Sequence, residues 1–128
     1  MERKLISSGA IYEPKIGFSR AVRVGPHIAV SGTAPIAPSG GVACPGDMYG
    51  QTRRCLEIIQ KAIEDAGGRL EHVVRTRVYL KDMSRWEEAG RAHGEVFKDI
   101  RPASTMIQIV QAIDADWLVE IEADAIVP

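Results

Sequence analysis

Three acidic residues near the end of the chain have a spacing that could serve catalysis. Glu120, Glu122 and Asp124 lie two residues apart, so in a β-strand their side chains share one face. One interpretation is a ladder of ion pairs with Arg75 and Arg77 on another strand. The other is that one carboxylate acts as a general acid or base in a cleft covered by another subunit. Both can hold, because a strand can pair two carboxylates and leave the third free.

Motifs for other common chemistries are missing from the sequence. It has no glycine-rich phosphate loop, no G-x-S-x-G nucleophile elbow and no H-E-x-x-H pair. His27, His72 and His93 are scattered and no Cys/His pair has zinc spacing, so we expect no bound metal. Cys55 falls among the apolar residues of a helix, and Cys44 has no activating neighbour in the sequence. Neither cysteine is therefore favoured as a nucleophile.

The sequence predicts two amphipathic helices. Apolar residues recur every three to four positions between Asp47 and Gly67-Gly68, which predicts an amphipathic helix with Asp47 as its N-cap. A second helix is predicted to begin at a capping box formed by Ser84 and Glu87. It must end before Pro102. The residues expected on its buried side are Ala89, His93, Val96 and Phe97.

Strand patterns account for most of the remaining chain. The predicted strands are Ala21–Val24, His27–Gly32, His72–Leu80, Thr105–Gln111 and Trp117–Val127. We expect a hairpin at Gly25-Pro26, a turn at Ile113–Asp116 between the last two strands, and a long loop at Ala34–Pro45. In the third strand, one face should carry Val74, Thr76, Val78 and Leu80. This order of elements predicts an α+β domain with two helices on one face of a sheet.

Length and charge exclude several classes of protein. The 128 residues are 45% hydrophobic and 26% charged with a formal net charge of −1, which is typical of a single globular domain over 1–128. All 16 Lys and Arg lie at or before Arg101, so the last strand is purely acidic. The near-neutral total argues against a nucleic-acid surface. No apolar run suits a membrane span or a signal peptide, so a cytoplasmic location is expected.

Four segments of the sequence together match a known family pattern. They are GFSRAVRVGPHIAVSGTAP at 17–35, QTRRCLEIIQKAIEDAGG at 51–68, VRTRVYLKDMSRWEEAGRAHGEVF at 74–97 and PAS…VEIEADA at 102–125. In this order, and nearly end to end, they resemble the Rid family of reactive intermediate deaminases, also called RidA/YjgF.

The resemblance implies both a fold and an activity. The expected fold is chorismate-mutase-like (YjgF-like), with a mixed six-stranded sheet, two helices on one face, and a homotrimer whose three sheets form a central barrel. Small-molecule sites would lie in the clefts between subunits. The family's well-characterised members hydrolyse enamines and imines such as 2-aminoacrylate to keto acids and ammonia without any cofactor. The alternatives are a trimer that binds a small ligand without catalysis, and a ribonuclease, which the net charge disfavours.

The match is incomplete at the expected site. Deaminating members have an arginine directly after Pro-Ala that holds the substrate carboxylate in a bidentate fork, and this chain has Ser104 there. A serine supplies neither the charge nor the geometry. Phe18 replaces a tyrosine and Gly90 an asparagine, while Met106 replaces a cysteine that acts through its backbone carbonyl. The usual 2-aminoacrylate substrate is therefore not expected, and a larger acid of the aminomuconate type is one candidate.

The remaining site residues are assigned partly by the same resemblance and partly by their position in the chain. Glu120 and the Met106 carbonyl would hold the attacking water. The residues expected to contact substrate are Phe18, Ser31, Gly32, Trp86, Arg101, Ser104 and Thr105. Arg101 or Arg20 would replace the missing arginine, although Arg101 is equally suited to be a solvated cap. Trp86 would either wall the cleft or be a half-buried packing residue.

Overall fold

Six β-strands form one mixed sheet with helices packed against it. The computed structural model describes all 128 residues, Met1–Pro128. The strands are β1 (Arg3–Ile6), β2 (Ala21–Val24), β3 (His27–Thr33), β4 (Val73–Leu80), β5 (Ala103–Gln108) and β6 (Val119–Ile126). The helices are α1 (Tyr12–Ile16), α2 (Met48–Asp65) and α3 (Trp86–Phe97), with 3-10 turns at Leu70–His72 and Met83–Arg85. The sheet order is β1-β2-β3-β6-β4-β5, which confirms the mixed six-stranded sheet and the α+β class.

Helix α2 forms where the sequence predicts it. Asp47 caps the helix by accepting a hydrogen bond of 2.9 Å from the Gly50 amide. Its apolar side, which includes Ile59 and Ile63, is fully buried against β3 and β6. Each large aliphatic side chain buried there contributes roughly 1.5–3 kcal/mol. Gly67 then ends the helix at φ +89°, a left-handed conformation that costs glycine little.

The side chains of β6 alternate between the two faces of the sheet, here called the helix face and the open face. The alternating apolar residues lie under the helices and are all buried: Val119, Ile121, Ala123 and Ala125. The acidic residues between them lie on the open face, which no element of the chain covers. The alternation predicted from the sequence is confirmed, except that the strand begins at Val119 and the buried Trp117 precedes it.

The last two strands do not pair with each other, although the sequence places a turn at Ile113–Asp116 between them. Strand β5 pairs in parallel with β4 at the edge of the sheet, and β6 inserts between β3 and β4. The two strands are therefore not neighbours. Parallel neighbours need a crossover connection, and α3 supplies it between β4 and β5. The β2–β3 hairpin at Gly25-Pro26 is confirmed.

The start of α3 also differs from the prediction. The helix begins at Trp86, and its N-cap residue, Arg85, makes no side-chain capping bond. Asp82 instead accepts hydrogen bonds from the amide and hydroxyl of Ser84, at 3.0 and 2.7 Å. Ser84 is thus occupied in the 3-10 turn that leads into the helix and forms no capping box with Glu87. No helix of the chain combines the length and apolar character needed to cross a membrane.

Two local features were not predicted. The first 16 residues form β1 and α1, which are too short and too polar to give a periodic signal. In β4, a bulge between Val73 and Arg75 shifts the alternation by one residue. As a result Val73 is buried and Val74 is 44% exposed, although the sequence pattern placed Val74 on the same face as Thr76, Val78 and Leu80.

Candidate functional site

The acidic row on the open face forms part of the ion-pair ladder that was one of the two interpretations, with Arg77 but not Arg75 as a cation. Arg77 lies 3.6 Å from the Glu122 carboxylate and 3.3 Å from that of Asp124. The Tyr79 hydroxyl donates a hydrogen bond of 2.6 Å to Glu122. His27 lies 3.6 Å from Asp124. Glu122 and Asp124 are therefore the paired members of the row.

Glu120, at the other end of the row, has no such partners. Its half-buried carboxylate makes no hydrogen bond or salt bridge within the chain. Burial raises the pKa of this carboxyl above its ordinary value, and the nearby charge of Arg20 opposes that rise. A carboxylate that is partly desolvated and unpaired is suited to take up a proton from water.

Gly32 lies directly beside Glu120 because β3 is irregular there. The pairing of β3 with β6 shifts between Val30 and Thr33, and a Cβ added to Gly32 would lie 3.5 Å from Glu120 Oε1. Ser31 donates its hydroxyl hydrogen to the Ser19 carbonyl at 2.6 Å. The Gly32 backbone therefore has room to approach a small molecule held by Glu120, whereas the Ser31 hydroxyl donor is already used.

Arg20 is buried behind this bulge, and its guanidinium is held by acceptors of the same chain. Its side chain is 5% exposed. Nη1 donates to the Gly32 carbonyl at 2.7 Å and to Thr33 Oγ1 at 3.1 Å. The guanidinium also lies over the Phe18 ring, 5.4 Å from its centroid. Arg20 thus supports the backbone beside Glu120 from within the fold.

Ser104 terminates a hydrogen-bonded chain on the helix face. The fully buried Thr76 donates to Ser104 Oγ at 2.8 Å and lies 2.8 Å from His93 Nε2 on α3. Because Thr76 gives its only hydrogen to Ser104, we assign the Nε2 proton to His93, which donates it to Thr76. Burial lowers the pKa of His93, so the ring is uncharged at neutral pH. Position 104 therefore carries a neutral hydroxyl that is hydrogen-bonded to neutral side chains.

One chain does not bring Ser104 and Glu120 together. Ser104 is in register with Thr76 and Ala123, whose side chains are buried on the helix face. Glu120 is in register with Tyr79 on the open face. The two side chains therefore lie on opposite sides of the sheet, and a ligand contacting both would need Ser104 from one chain and Glu120 from another.

The neighbours of Ser104 on β5 present different groups at the sheet edge. Thr105 is in register with Arg77 and so lies on the open face. The Met106 side chain packs against the core on the helix face. The Ile109 amide donates to the Leu80 carbonyl at 2.9 Å, and alternation along the parallel ladder then directs the backbone of Met106 away from β4. Its carbonyl is free at the edge, which is what a water-holding role would require.

Trp86 and Arg101 lie at the two ends of α3. Trp86 is 51% exposed and its ring packs over Gly90, where an added Cβ would lie 3.7 Å from it. Arg101 is exposed at φ +59°, and its amide donates to the Phe97 carbonyl at 2.8 Å. Arg101 therefore closes the turn that follows the helix with its side chain in solvent, and that side chain makes no hydrogen bond or salt bridge within the chain.

Sequence reasoning missed the Thr76–His93 support of Ser104 and the burial of Arg20. A signal for the first was present, since Thr76 and His93 are polar residues at positions predicted to be buried. No group of three or more His, Cys, Asp or Glu side chains is arranged to hold a metal ion. Two cavities of about 320 Å³ each lie within the single chain, and Glu120 lines neither.

Comparisons with known proteins agree with this fold. A family model described as endoribonuclease L-PSP matches residues 10–127. A RutC family protein of Pyrococcus abyssi is 34% identical over 125 residues, covering 98% of each chain. The 3-aminoacrylate deaminase RutC of Acinetobacter baylyi is 29% identical over 125 residues, with the same coverage.

A solved structure extends the likeness to the whole fold. The crystal structure of a member of the YjgF/YER057c/UK114 family from Mycobacterium tuberculosis superimposes with a TM-score of 0.90. That protein is 43% identical, and the match covers 98% of this chain and 100% of the other. Because both the family model and the fold span nearly every residue, the chain belongs to the family described as endoribonuclease L-PSP, which is the YjgF or Rid family that its sequence resembles.

Proposed function

We propose that the chain is a cofactor-free hydrolase that converts an enamine or imine into a carbonyl compound and ammonia. Family membership supports this, as does 29% identity to a protein named 3-aminoacrylate deaminase, whose named substrate is an enamine. The observation that carries the proposal is the half-buried, unpaired carboxylate of Glu120 beside the Gly32 backbone.

The chemistry needs one residue that moves a proton. The enamine first tautomerises to the imine, and water then adds to the carbon of the C=N bond while Glu120 takes one of its protons. The protonated carboxyl next gives that proton to the nitrogen. The hydroxyl of the resulting carbinolamine then gives its proton to the Glu120 carboxylate, which passes it to the nitrogen, so that the C–N bond breaks as the C=O bond forms and ammonia leaves. One imine and one water give one carbonyl compound and one ammonia, with no oxidation or reduction.

The site is proposed to lie between chains of a homotrimer. Ser104 and the free Met106 carbonyl are at a sheet edge, on a different side from Glu120, so a neighbouring chain must supply one half of the site. The open face also exposes apolar side chains that a second copy would cover, Leu5 at 61%, Ile107 at 46% and Ile126 at 51%. Three copies would form the barrel. In solution the mass should be about three times 14.0 kDa, and a mass near 14.0 kDa would contradict this arrangement.

Ser104 limits the substrate class. The hydroxyl accepts from Thr76 and has its own hydrogen free to donate. It therefore suits a neutral acceptor such as a carbonyl or ester oxygen, or a carboxylate distant from the reacting carbon. A ribonuclease activity is not proposed, because the open face carries a row of carboxylates and the net charge is −1.

The decisive experiment compares Glu120→Gln with Glu122→Gln. The two changes are the same, on the same strand and face, two residues apart. An enamine is generated in situ, and ammonia and the carbonyl product are followed together. We expect Glu120→Gln to lower the rate above background by about 10²-fold or more, the usual contribution of a general base. Glu122→Gln should remain within about threefold of the wild-type rate, since a partly exposed ladder pair contributes little.

The outcomes separate an enzyme from a binding protein. If Glu120→Gln and wild type both give the spontaneous rate, the chain does not catalyse this reaction, and ligand binding without catalysis becomes the better description. If both variants lose activity equally, the ladder matters and Glu120 has no special role.

A second variant tests whether the only feature that the site lacks for 2-aminoacrylate is a group that binds the substrate carboxylate. Ser104→Arg would restore a guanidinium at the position where deaminating relatives carry one. We expect a gain of 2-aminoacrylate turnover, with a lower KM because the arginine forms two charge-assisted hydrogen bonds to the substrate carboxylate. Thr105→Arg places the same charge one residue away on the other face and is the matched control. Equal gains in both variants would show a general charge effect.

A further inference from the structure

The single chain contains a second candidate binding region, separate from the site around Glu120. The first cavity lies between the loop after β3, the N-terminal helix α1 and helix α2, on the helix side of the sheet. The second lies between the N-terminal segment and α2. Both have a volume of about 320 Å³, and both are lined by Ser8, Arg20, Arg54 and Ile58. The two cavities therefore meet at a shared wall that contains two guanidinium groups.

The donors of these two guanidiniums are only partly used. Arg20 donates through Nη1 to Gly32 and Thr33 and through Nε to Ser8 Oγ at 3.4 Å. Arg54 donates through Nε to the Ile36 carbonyl at 2.6 Å and through Nη1 to Glu57 at 3.3 Å. Neither Nη2 group has a partner in the chain. No fully enclosed side-chain nitrogen lacks one, so the Nη2 group of Arg20 retains some accessible surface, and Arg20 lines both cavities.

The carboxylates around the cavities are already engaged. Glu13, behind Arg20, accepts from the amide and hydroxyl of Ser8 and from the Ala10 amide. In the cavity walls, Glu57 pairs with Arg54, Asp65 pairs with Lys61 at 2.8 Å, and Asp114 accepts from the Asp116 amide. Each guanidinium of the shared wall thus has one carboxylate nearby, Glu13 at 3.9 Å from Arg20 and Glu57 at 3.3 Å from Arg54, and keeps an Nη2 group without a partner.

The remainder of the first cavity is largely apolar. Ile36, Pro38 and Val42 line it from the loop, and Trp117 packs edge-to-face with Tyr12 at a centroid distance of 5.6 Å. A pocket of this size with an apolar lining and a few convergent polar groups is typical of small-molecule sites. Two Nη2 groups match an acceptor with two oxygen atoms.

We infer that this region binds a small carboxylic acid, with the carboxylate between Arg20 and Arg54 and the apolar body in the first cavity. The site is formed within one chain and does not use Glu120. Arg20 also supports the backbone beside Glu120, so the two proposals are separated by their tests: hexanoate binding can fail while deamination remains, and the reverse.

Hexanoate is the probe, and hexanamide is its neutral counterpart of the same shape. Titration calorimetry on the intact protein should give a dissociation constant of about 1 mM or tighter for hexanoate, and binding at least tenfold weaker for hexanamide. Amide chemical shifts should change in the 34–42 loop and at α1, and not along β6. Shifts confined to β6, or equal binding of the two probes, would overturn the inference.

Matched variants on α2 test the role of the guanidinium. Arg54→Met removes the cation from the shared wall, and at least a tenfold loss of hexanoate affinity is expected. Arg53→Met makes the same change one residue earlier, where the side chain pairs with Glu95 at 3.6 Å and lines neither cavity, and should bind as wild type does. Equal losses in both would contradict the site. Ile58→Trp fills the wall between the cavities and should abolish binding while the charges remain, and unchanged affinity would place the probe elsewhere.

Discussion

The two ends of the acidic row on β6 differ although their residues are alike. Glu120 and Glu122 lie two residues apart on the same face of one strand. Glu122 accepts a hydrogen bond from Tyr79 and lies 3.6 Å from Arg77. Glu120 has no partner, and burial raises its pKa. The spacing sets which face a carboxylate occupies, and the neighbouring strands decide whether it stabilises the sheet or remains free for chemistry.

Arg20 lies near the Glu120 end of the row and Arg77 near the Glu122 end. Replacing these two cations should give the largest difference in the free energy of unfolding. Arg20→Met should lower the free energy of unfolding by about 3–5 kcal/mol, because it leaves the buried Glu13 without its counter-charge and removes the support of the Gly32 carbonyl. Arg77→Met should cost about 0–1 kcal/mol, because its side chain is 42% exposed. Urea unfolding at pH 7 and one protein concentration measures both.

A conservative change keeps this comparison informative if Arg20→Met does not fold. Arg20→Lys retains the positive charge but lacks the planar guanidinium with its several donors. It should therefore recover part of the free energy of unfolding that Arg20→Met loses. Losses that agree within about 1 kcal/mol for Arg20→Met and Arg77→Met would show that the two ends of the row are not energetically different.

The difference between the two ends follows from features that the sequence shows only in part. The ladder at Glu122 and Asp124 could be predicted, because opposite charges alternate on two strands that are plainly amphipathic. The isolation of Glu120 could not, since it depends on the bulge at Gly32 and on Arg20 turning inward. Neither leaves a periodic signal.

The fold likewise has elements that the sequence predicts and one whose placement it does not. Helix α2 and β6 were predicted because long periodic runs fix which side is buried. The placement of β5 was not, because nearly every residue from Ala103 to Gln108 is exposed and no alternation sets its faces or its neighbour. The side of the sheet on which Ser104 lies is set by this register, so the separation of Ser104 from Glu120 needed the structure.

Glu120→Gln and Glu122→Gln should change the free energy of unfolding at pH 7 in opposite directions. The folded state raises the pKa of Glu120, so it holds that proton more tightly than the unfolded chain does. Stability is therefore lost as the pH rises from the unfolded towards the folded pKa. Glu120→Gln removes this loss and should be more stable than wild type at pH 7. Glu122→Gln should be less stable by about 0.5–1.5 kcal/mol, because it weakens the bonds from Tyr79 and Arg77.

Calorimetric melting between pH 4 and pH 8 tests this difference. The melting temperature of Glu120→Gln relative to wild type should increase with pH across the acid range. A destabilised Glu120→Gln at pH 7 would mean that the carboxylate has a stabilising partner, contrary to the structure.

Tyr79 offers the finest measure of the comparison, because its hydroxyl responds to both glutamates. Its hydrogen bond to Glu122 is the main cause that raises the pKa of Tyr79, and the charge of Glu120 raises it only weakly. Glu122→Gln should therefore lower the pKa of Tyr79 clearly, and Glu120→Gln only slightly. Absorbance near the tyrosinate band during alkaline titration measures this, with Tyr79→Phe subtracted to remove Tyr12 and Tyr49. Equal shifts in the two variants would show that charge alone acts on the phenol and that the hydrogen bond to Glu122 does not distinguish the two ends of the row.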